Sequence, residues 1–292
     1  MAYRIKRKEG VGGGVRRIVR QQLHEAVQEV ANPTQSLDDR VHAVRSHLKR
    51  TRSVVRLVAD QVGGPARKDE RRFRALARRL SLPRDIAVQD ELLHRLLEQH
   101  PEQVAAGADQ SLRDIGRRLR KRMDAPAVDA RLRAVVRALA KVTRQVARWS
   151  VPHGKRAVRK GLESAYRQAR RRLRAIEQPA DEGDQVHRLH QWRKSIKRLG
   201  HQVTVLRRRA PELNRVLQHP LADLGELLGE AHDLSALRAT LQYELRAPRD
   251  SRNRALLLAL IDQRARVIES EAVQRGHVLV AASPKAVRQL LP

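Results

Sequence analysis

Apolar residues recur along this chain every three to four positions, with polar residues filling the gaps. That rhythm belongs to helices that bury one face. It predicts helices over roughly 15–30, 37–61, 69–80, 86–99, 111–123 and 127–149, then over roughly 155–177, 183–209, 213–228, 234–246 and 251–276, with a short tail near 284–291. Alternating β-branched runs, the mark of strands, do not occur. Chain breaks are expected at Asn32-Pro33, Gly63-Gly64-Pro65, Ala125-Pro126, Val151-Pro152-His153-Gly154, Gln178-Pro179 and Ala247-Pro248, where Pro and Gly cannot continue a helix. The expected class is all-α, built as antiparallel helical bundles.

The pattern repeats. Val41-His42-Ala43-Val44-Arg45-Ser46-His47-Leu48-Lys49-Arg50 aligns with Leu189-His190-Gln191-Trp192-Arg193-Lys194-Ser195-Ile196-Lys197-Arg198 on a shared H-x-x-R-x-x-x-K-R frame, His190 lying 148 residues after His42. The same offset carries Leu76 onto Leu224, Leu80 onto Leu228 and Asp85 onto Asp233. A constant offset over separated blocks implies two copies of one helical unit, related as a pseudo-two-fold pair. The expected division is residues 1–150 and 151–292, near Val151-Pro152-His153-Gly154.

Placed on helices at about 100° per residue, His42, Arg45, Lys49, Arg52 and Arg56 share a stripe about 80° wide. Val41, Val44, Leu48 and Val55 form the apolar face beside it. The second copy lines up His190, Arg193, Lys197, His201 and Arg208, with Lys194 at the edge, next to Leu189, Trp192, Ile196 and Val203. Arg50 and Arg198 point further round. A cationic stripe touching a core face suits the wall of a groove, where the fields of several cations add. The alternative is a solvated basic face, which the repetition of the stripe argues against.

Charge and composition then narrow the partner. Lys and Arg number 62 against 32 Asp and Glu, a formal charge of +30, which calls for an acidic partner such as nucleic acid, an anionic membrane surface or a phosphate polymer. Arg dominates, and its planar fork grips phosphate oxygens bidentately. Aromatics are 2% of the chain, too few for the stacking platform that single-stranded nucleic acid usually needs. A partner with phosphates and no bases needs none. There is no Cys, so disulfides and thiolate metal sites are excluded. No run approaches ~18 apolar residues, so no membrane span is expected, and the default location is the cytoplasm.

The stripe histidines suit phosphate donation, more strongly when protonated. No metal and no cofactor is expected, because the stripes hold no carboxylate and their cations repel a divalent ion; the i, i+3 pair His187 and His190 is the one alternative. Asp85 and Asp233 read as helix N-caps, with a second reading as carboxylates that orient a stripe residue. Further basic positions extend or merely surround the groove: Arg16, Arg17 and Arg20 on the first helix, and Arg167, Arg170, Arg171 and Arg174 beside Tyr166. Gly10-Val11-Gly12-Gly13-Gly14 lacks the Lys-Ser/Thr ending of a P-loop and reads as a flexible leader.

These motifs resemble those of the CHAD family, the conserved histidine α-helical domain. The matches are His42-x-x-Arg45-x-x-x-Lys49-Arg50-x-Arg52 and His190-x-x-Arg193-x-x-x-Lys197-Arg198, with Leu227-Leu228-Gly229-Glu230-Ala231-His232-Asp233-Leu234 similar to the family's second-half L-G-x-x-x-D element. Leu80-Ser81-Leu82-Pro83-Arg84-Asp85 looks like its first-half partner, and Gly161-Leu162 with Tyr166-Arg167 like another block, so the likeness runs from about residue 10 to about residue 275. The resemblance implies two helical bundles flanking a basic channel that binds inorganic polyphosphate without catalysis. It also implies a cytosolic protein that gathers at polyphosphate granules. Two departures stand out. Gly200 replaces the Arg or Lys expected opposite Arg52, and no triphosphate-tunnel domain, hence no catalytic module, is expected alongside. The competing reading is a sequence-independent DNA binder, since DNA phosphates satisfy the same cations. A His-nucleophile enzyme would need a base or metal that the stripes do not offer. Oligomeric state is not encoded in these patterns.

Overall fold

The computed structural model describes residues 3–32, 34–80, 88–89, 91–95, 98, 125–151, 154–244 and 251–291. Among these the chain is helical throughout, with no strand. The first half holds α1 (Val11–Val30), α2 (Leu37–Val62), α3 (Gly64–Arg79) and α4 (Ala125–Val146). The second holds α5 (Gly154–Ile176), α6 (Glu182–Leu206), α7 (Pro211–Glu244), α8 (Ser251–Leu279) and the short α9 (Pro284–Gln289). Asp85, Ala247-Pro248 and most of the segments expected at 86–99 and 111–123 lie outside the described residues. No helix of the described residues is long and apolar enough to cross a membrane.

Local chemistry sets the ends of the stripe-bearing helices. Ser36 caps α2 by accepting the Asp39 N–H at 3.1 Å, and Asp181 caps α6 by accepting the Asp184 N–H at 2.8 Å. Acidic residues fill both first turns, where the helix dipole favours them: Asp38 and Asp39 in α2, Glu182 and Asp184 in α6. Gly63 ends α2 at φ 73°, a left-handed position that a side chain would strain, and Pro65 starts α3 at once.

Two expectations are corrected here. The glycine stretch is not a leader: α1 starts at Val11, and Gly14 is buried against Ile5 and Glu9. The helix also does not break before Asp233. α7 runs unbroken through Gly229 and Asp233 for 34 residues and even contains Pro220, so Asp233 is mid-helix and caps nothing.

Packing follows the chain order. α2 packs on α1 and α3, and α6 on α5 and α7, while α2 also meets α5 and α6 across the halves. One buried apolar cluster, from Ile5 through Leu48, Trp192 and Leu224 to Leu291, runs through both halves. A second, formed by Leu92 and Leu93 with Leu234, Leu237, Leu241, Leu257, Ile261 and Ile268, sits between α7 and α8. The halves approach closely at Gly161 of α5, where a Cβ would collide with the Leu57 carbonyl oxygen of α2. Gly161→Ala is therefore expected to cost at least about 3 kcal/mol of stability, because backbone cannot yield as a side chain does. Urea unfolding measures it, and a midpoint like that of the parent would mean the helices can separate freely.

The N-terminal segment ties the halves together. Ile5, fully buried, donates its N–H to the Val205 carbonyl at 2.9 Å, and the Tyr3 hydroxyl donates to the Arg50 carbonyl at 3.0 Å. Arg209 reaches back to the Lys6 and Glu9 carbonyls, and Arg17 grips Glu9 with two bonds of 2.8 Å. Deeper in the interface the Gln202 amide donates to the Ser53 carbonyl at 3.1 Å.

The offset of 148 residues has a structural counterpart. It carries α2 and α3 onto α6 and the start of α7, and the Arg56–Glu70 ion pair onto the Thr204–Gln218 hydrogen bond of 2.9 Å. The Arg45 guanidinium donates to the Ala77 carbonyl of α3; the offset carries Ala77 onto Gly225 of α7, which Lys197, the counterpart of Lys49, overlies. The Arg56–Glu70 and Thr204–Gln218 contacts are compatible with an internal repeat.

Candidate anion-binding site

The two stripes face one another across the contact between α2 and α6. Lys49 and Arg50 of α2 lie close enough to His201 of α6 to disfavour its protonation, and Lys49 acts likewise on His232 of α7. Further along, Arg52 depresses the Lys194 ammonium and Arg56 the Arg198 guanidinium. In every case burial is the larger cause and the opposing cations add to it. Arg198 is pushed down to about 10, still a cation at neutral pH. The concentration of positive charge is thus a feature of the fold.

At one end of the array, Glu70 of α3 takes the centre. Its Oε1 accepts from Arg52 Nε at 3.0 Å and Arg52 Nη2 at 2.9 Å, and forms an ion pair with Arg56 Nη2 at 2.9 Å. Arg74 of α3 and Arg172 of α5 add their fields to this cluster. Arg172 is itself tied to the Gln191 carbonyl, and Arg198 donates to Gln168.

At the other end, His190 and His232 stand ring against ring, with centroids 4.4 Å apart and Nδ1 to Nδ1 3.1 Å. At that separation one Nδ1 carries a proton and donates it to the other, so both rings are neutral. Burial is the first cause holding both below the ordinary histidine range. Lys194 and Arg193 add to it for His190, and Arg193, His190 and Lys194 for His232. The pair lines a shallow recess with Val186, Leu189, Leu228, Ser235 and Glu269, whose carboxyl burial pushes up. Between the two ends, Arg193 and Lys197 lie over Gly225 and Gly229 of α7. Cβ atoms there would sit 3.7 Å from Lys197 Cγ and 3.8 Å from its Nζ. Burial lowers Lys197 and Arg193 adds to this, while Asp233 and Glu226 hold it up.

Not every expected residue joins this array. His42 is exposed on α2, and Arg45 is turned to α3. Arg16 donates to the Trp149 carbonyl at 2.8 Å, Arg167 pairs with Glu163 at 2.7 Å, and Arg208 stands beside Arg4. Arg20 and Arg174 are exposed on α1 and α5, and Arg170 flanks the buried Tyr166, whose hydroxyl reaches the Leu279 and Ala282 carbonyls. Gly200, the position opposite Arg52, packs towards Leu221 instead, so the guanidinium cluster has no twin on α6. Sequence reasoning missed Glu70, Arg74, Gln168, Arg172 and His232. The i, i+4 spacing of Glu70 with Arg74 and of Gln168 with Arg172 was the available signal.

Comparison with known proteins bears on the fold and the family. The family model for the CHAD domain matches residues 17–242 and 181–278. Among curated proteins, none matches the chain. The crystal structure of the CHAD domain from the plant Ricinus communis superposes with a TM-score of 0.68 at 20% identity, covering 97% of this chain and 95% of that one. The helical fold is therefore shared with that domain, and with its family model matched over most of its length the chain belongs to the CHAD family.

Proposed function

We propose that this protein binds inorganic polyphosphate in the groove between α2 and α6, as a binding protein without chemistry of its own, located in the cytoplasm and at polyphosphate granules. The observation that supports this best is the convergence of Lys49, Arg50, Arg52, Arg56, Arg193, Lys194, Lys197 and Arg198 from two helices, close enough that, beside burial, Arg52 lowers Lys194, Arg56 lowers Arg198, and Lys49 and Arg50 lower His201. Such a row suits a chain of evenly spaced charges better than a single phosphate. A phosphotransfer role has less support: His190 and His232 spend their facing nitrogens on each other, leaving no oriented base beside a nucleophile.

Sequence-independent DNA binding is the second reading, favoured by the net charge of +30. Competition separates the two. At equal phosphate concentration and matched salt, long-chain polyphosphate is expected to displace duplex DNA; equal or tighter DNA binding would overturn the polyphosphate reading. Affinity for either polymer should fall steeply and log-linearly with salt. An affinity that barely changes between low and physiological salt would point instead to a small-ligand pocket.

A further inference from the structure

Glu70 is an acid inside a site built of bases. Its side chain is 12% exposed, whereas those of Arg52 and Arg56 are 23% and 38% exposed. A single oxygen, Oε1, accepts two hydrogen bonds from Arg52 and pairs with the Arg56 guanidinium at 2.9 Å. That is how a phosphate oxygen would sit between two such forks. The carboxylate is supplied by α3, which is not a stripe helix, and it is directed at the stripe.

The second half lacks this device. At the offset of 148 residues, Arg52, Arg56 and Glu70 become Gly200, Thr204 and Gln218, and the surviving contact is a neutral hydrogen bond. Acid and guanidiniums are present together in one half and absent together from the other. Helix packing therefore does not require them, since the second half packs without any.

We propose that Glu70 is a built-in occupant of an anion subsite formed by Arg52 and Arg56, a tethered competitor that an incoming polyanion must displace. This rests on the polyphosphate reading for the identity of the ligand, but the occupancy itself does not. In the unliganded protein Glu70 offsets part of the charge of Arg52, Arg56 and Arg198. Its tether gives it a high local concentration at the subsite. A lone small anion therefore displaces it poorly. A polymer already held by Arg193 and Lys197 brings its next phosphate at a comparable local concentration and exchanges for it.

Two readouts test this. Glu70→Gln removes the charge and keeps the shape, and Glu212→Gln removes an exposed charge elsewhere as the control for net charge. First, Glu70→Gln is expected to tighten long-chain polyphosphate binding about tenfold while Glu212→Gln changes it less than twofold. Second, in chloride Glu70→Gln should melt below the parent, and sulfate at matched ionic strength should restore it, because a divalent oxyanion fills the vacated subsite and stabilises by mass action. The parent should respond to sulfate much less. Glu70→Asp, which keeps the charge but shortens the reach, should fall between and covers the case in which the amide variant does not fold. Unchanged or weaker polyphosphate binding by a folded Glu70→Gln, or a melting temperature no more sulfate-sensitive than the parent's, overturns the proposal and makes Glu70 a group that only positions the arginines. If the parent protein binds no polyphosphate, the functional reading falls, and the sulfate response alone decides the role of Glu70.

Discussion

Replacing Arg193 and Lys197 together by alanine is expected to weaken long-chain polyphosphate binding roughly a hundred- to ten-thousand-fold. Each charged hydrogen bond is worth about 1.5–3 kcal/mol, so two give about 3–6 kcal/mol. These two lie at the middle of the array, over Gly225 and Gly229 of α7. The matching pair in the first half, Arg45 and Lys49, should do less damage to binding. The Arg45 guanidinium is engaged with the Ala77 carbonyl, so its loss is felt more in stability. Arg131 and Arg137, both exposed on α4, remove the same formal charge and should cost little. Titration of the three double variants, after their melting temperatures are matched, makes the comparison. If the α4 pair weakens binding as much as Arg193 and Lys197, net charge alone binds the polymer and there is no site.

Acidification should tighten polyphosphate binding while destabilising the free protein. The cause is three histidines held neutral among cations. His201, half-buried on α6, is pushed down to about 4 by burial and then by Arg50, Lys197 and Lys49. His190 and His232 are lowered in the same way and share one proton between their facing nitrogens. In the unfolded chain each takes up a proton near pH ~6.5. Below that pH the unfolded state binds more protons than the folded one, so stability falls as pH drops from about 6.5 towards 4. For His201 alone the loss over that window is about 3 kcal/mol. A polyanion reverses the local field and favours the charged rings. Binding then takes up protons, and affinity rises as pH falls, by up to about tenfold per pH unit for each proton taken up. His201→Gln and His232→Gln should flatten that dependence, whereas the exposed His219→Gln should keep it. A parent affinity constant between pH 7.5 and 5.5 would contradict the coupling.

Much of this was legible in the sequence, and the limits have physical causes. The stripes could be read because residues three and four apart on a helix share a face whatever it packs against. The position of the breaks at Gly63-Gly64-Pro65 and Gln178-Pro179 was likewise local chemistry. What a third helix contributes is not local. Glu70 meets the α2 arginines only because α3 folds back against α2. Arg172 was one of three consecutive arginines, and only packing on α6 separates it from Arg171. The glycines at the start of α1 misled because their weak helix propensity is outweighed by the close contacts of Gly12 with Val151 and Gly14 with Ile5. The continuity of α7 was missed for the same reason: Gly229 is where Arg193 and Lys197 cross.

The N-terminal segment has a mechanical consequence. Tyr3 is bonded to α2 and Ile5 to α6, and the Gln202–Ser53 bond and Gly161 contact pin the same two halves elsewhere. The spacing between the two rows of cations is thereby fixed before any partner arrives. A fixed array cannot wrap a stiff rod, and duplex DNA stays nearly straight over about 150 base pairs. A limber polymer can instead bend its own backbone to follow the array. Selection between polyanions can thus be made by stiffness, with no contact that reads the chemical identity of the strand.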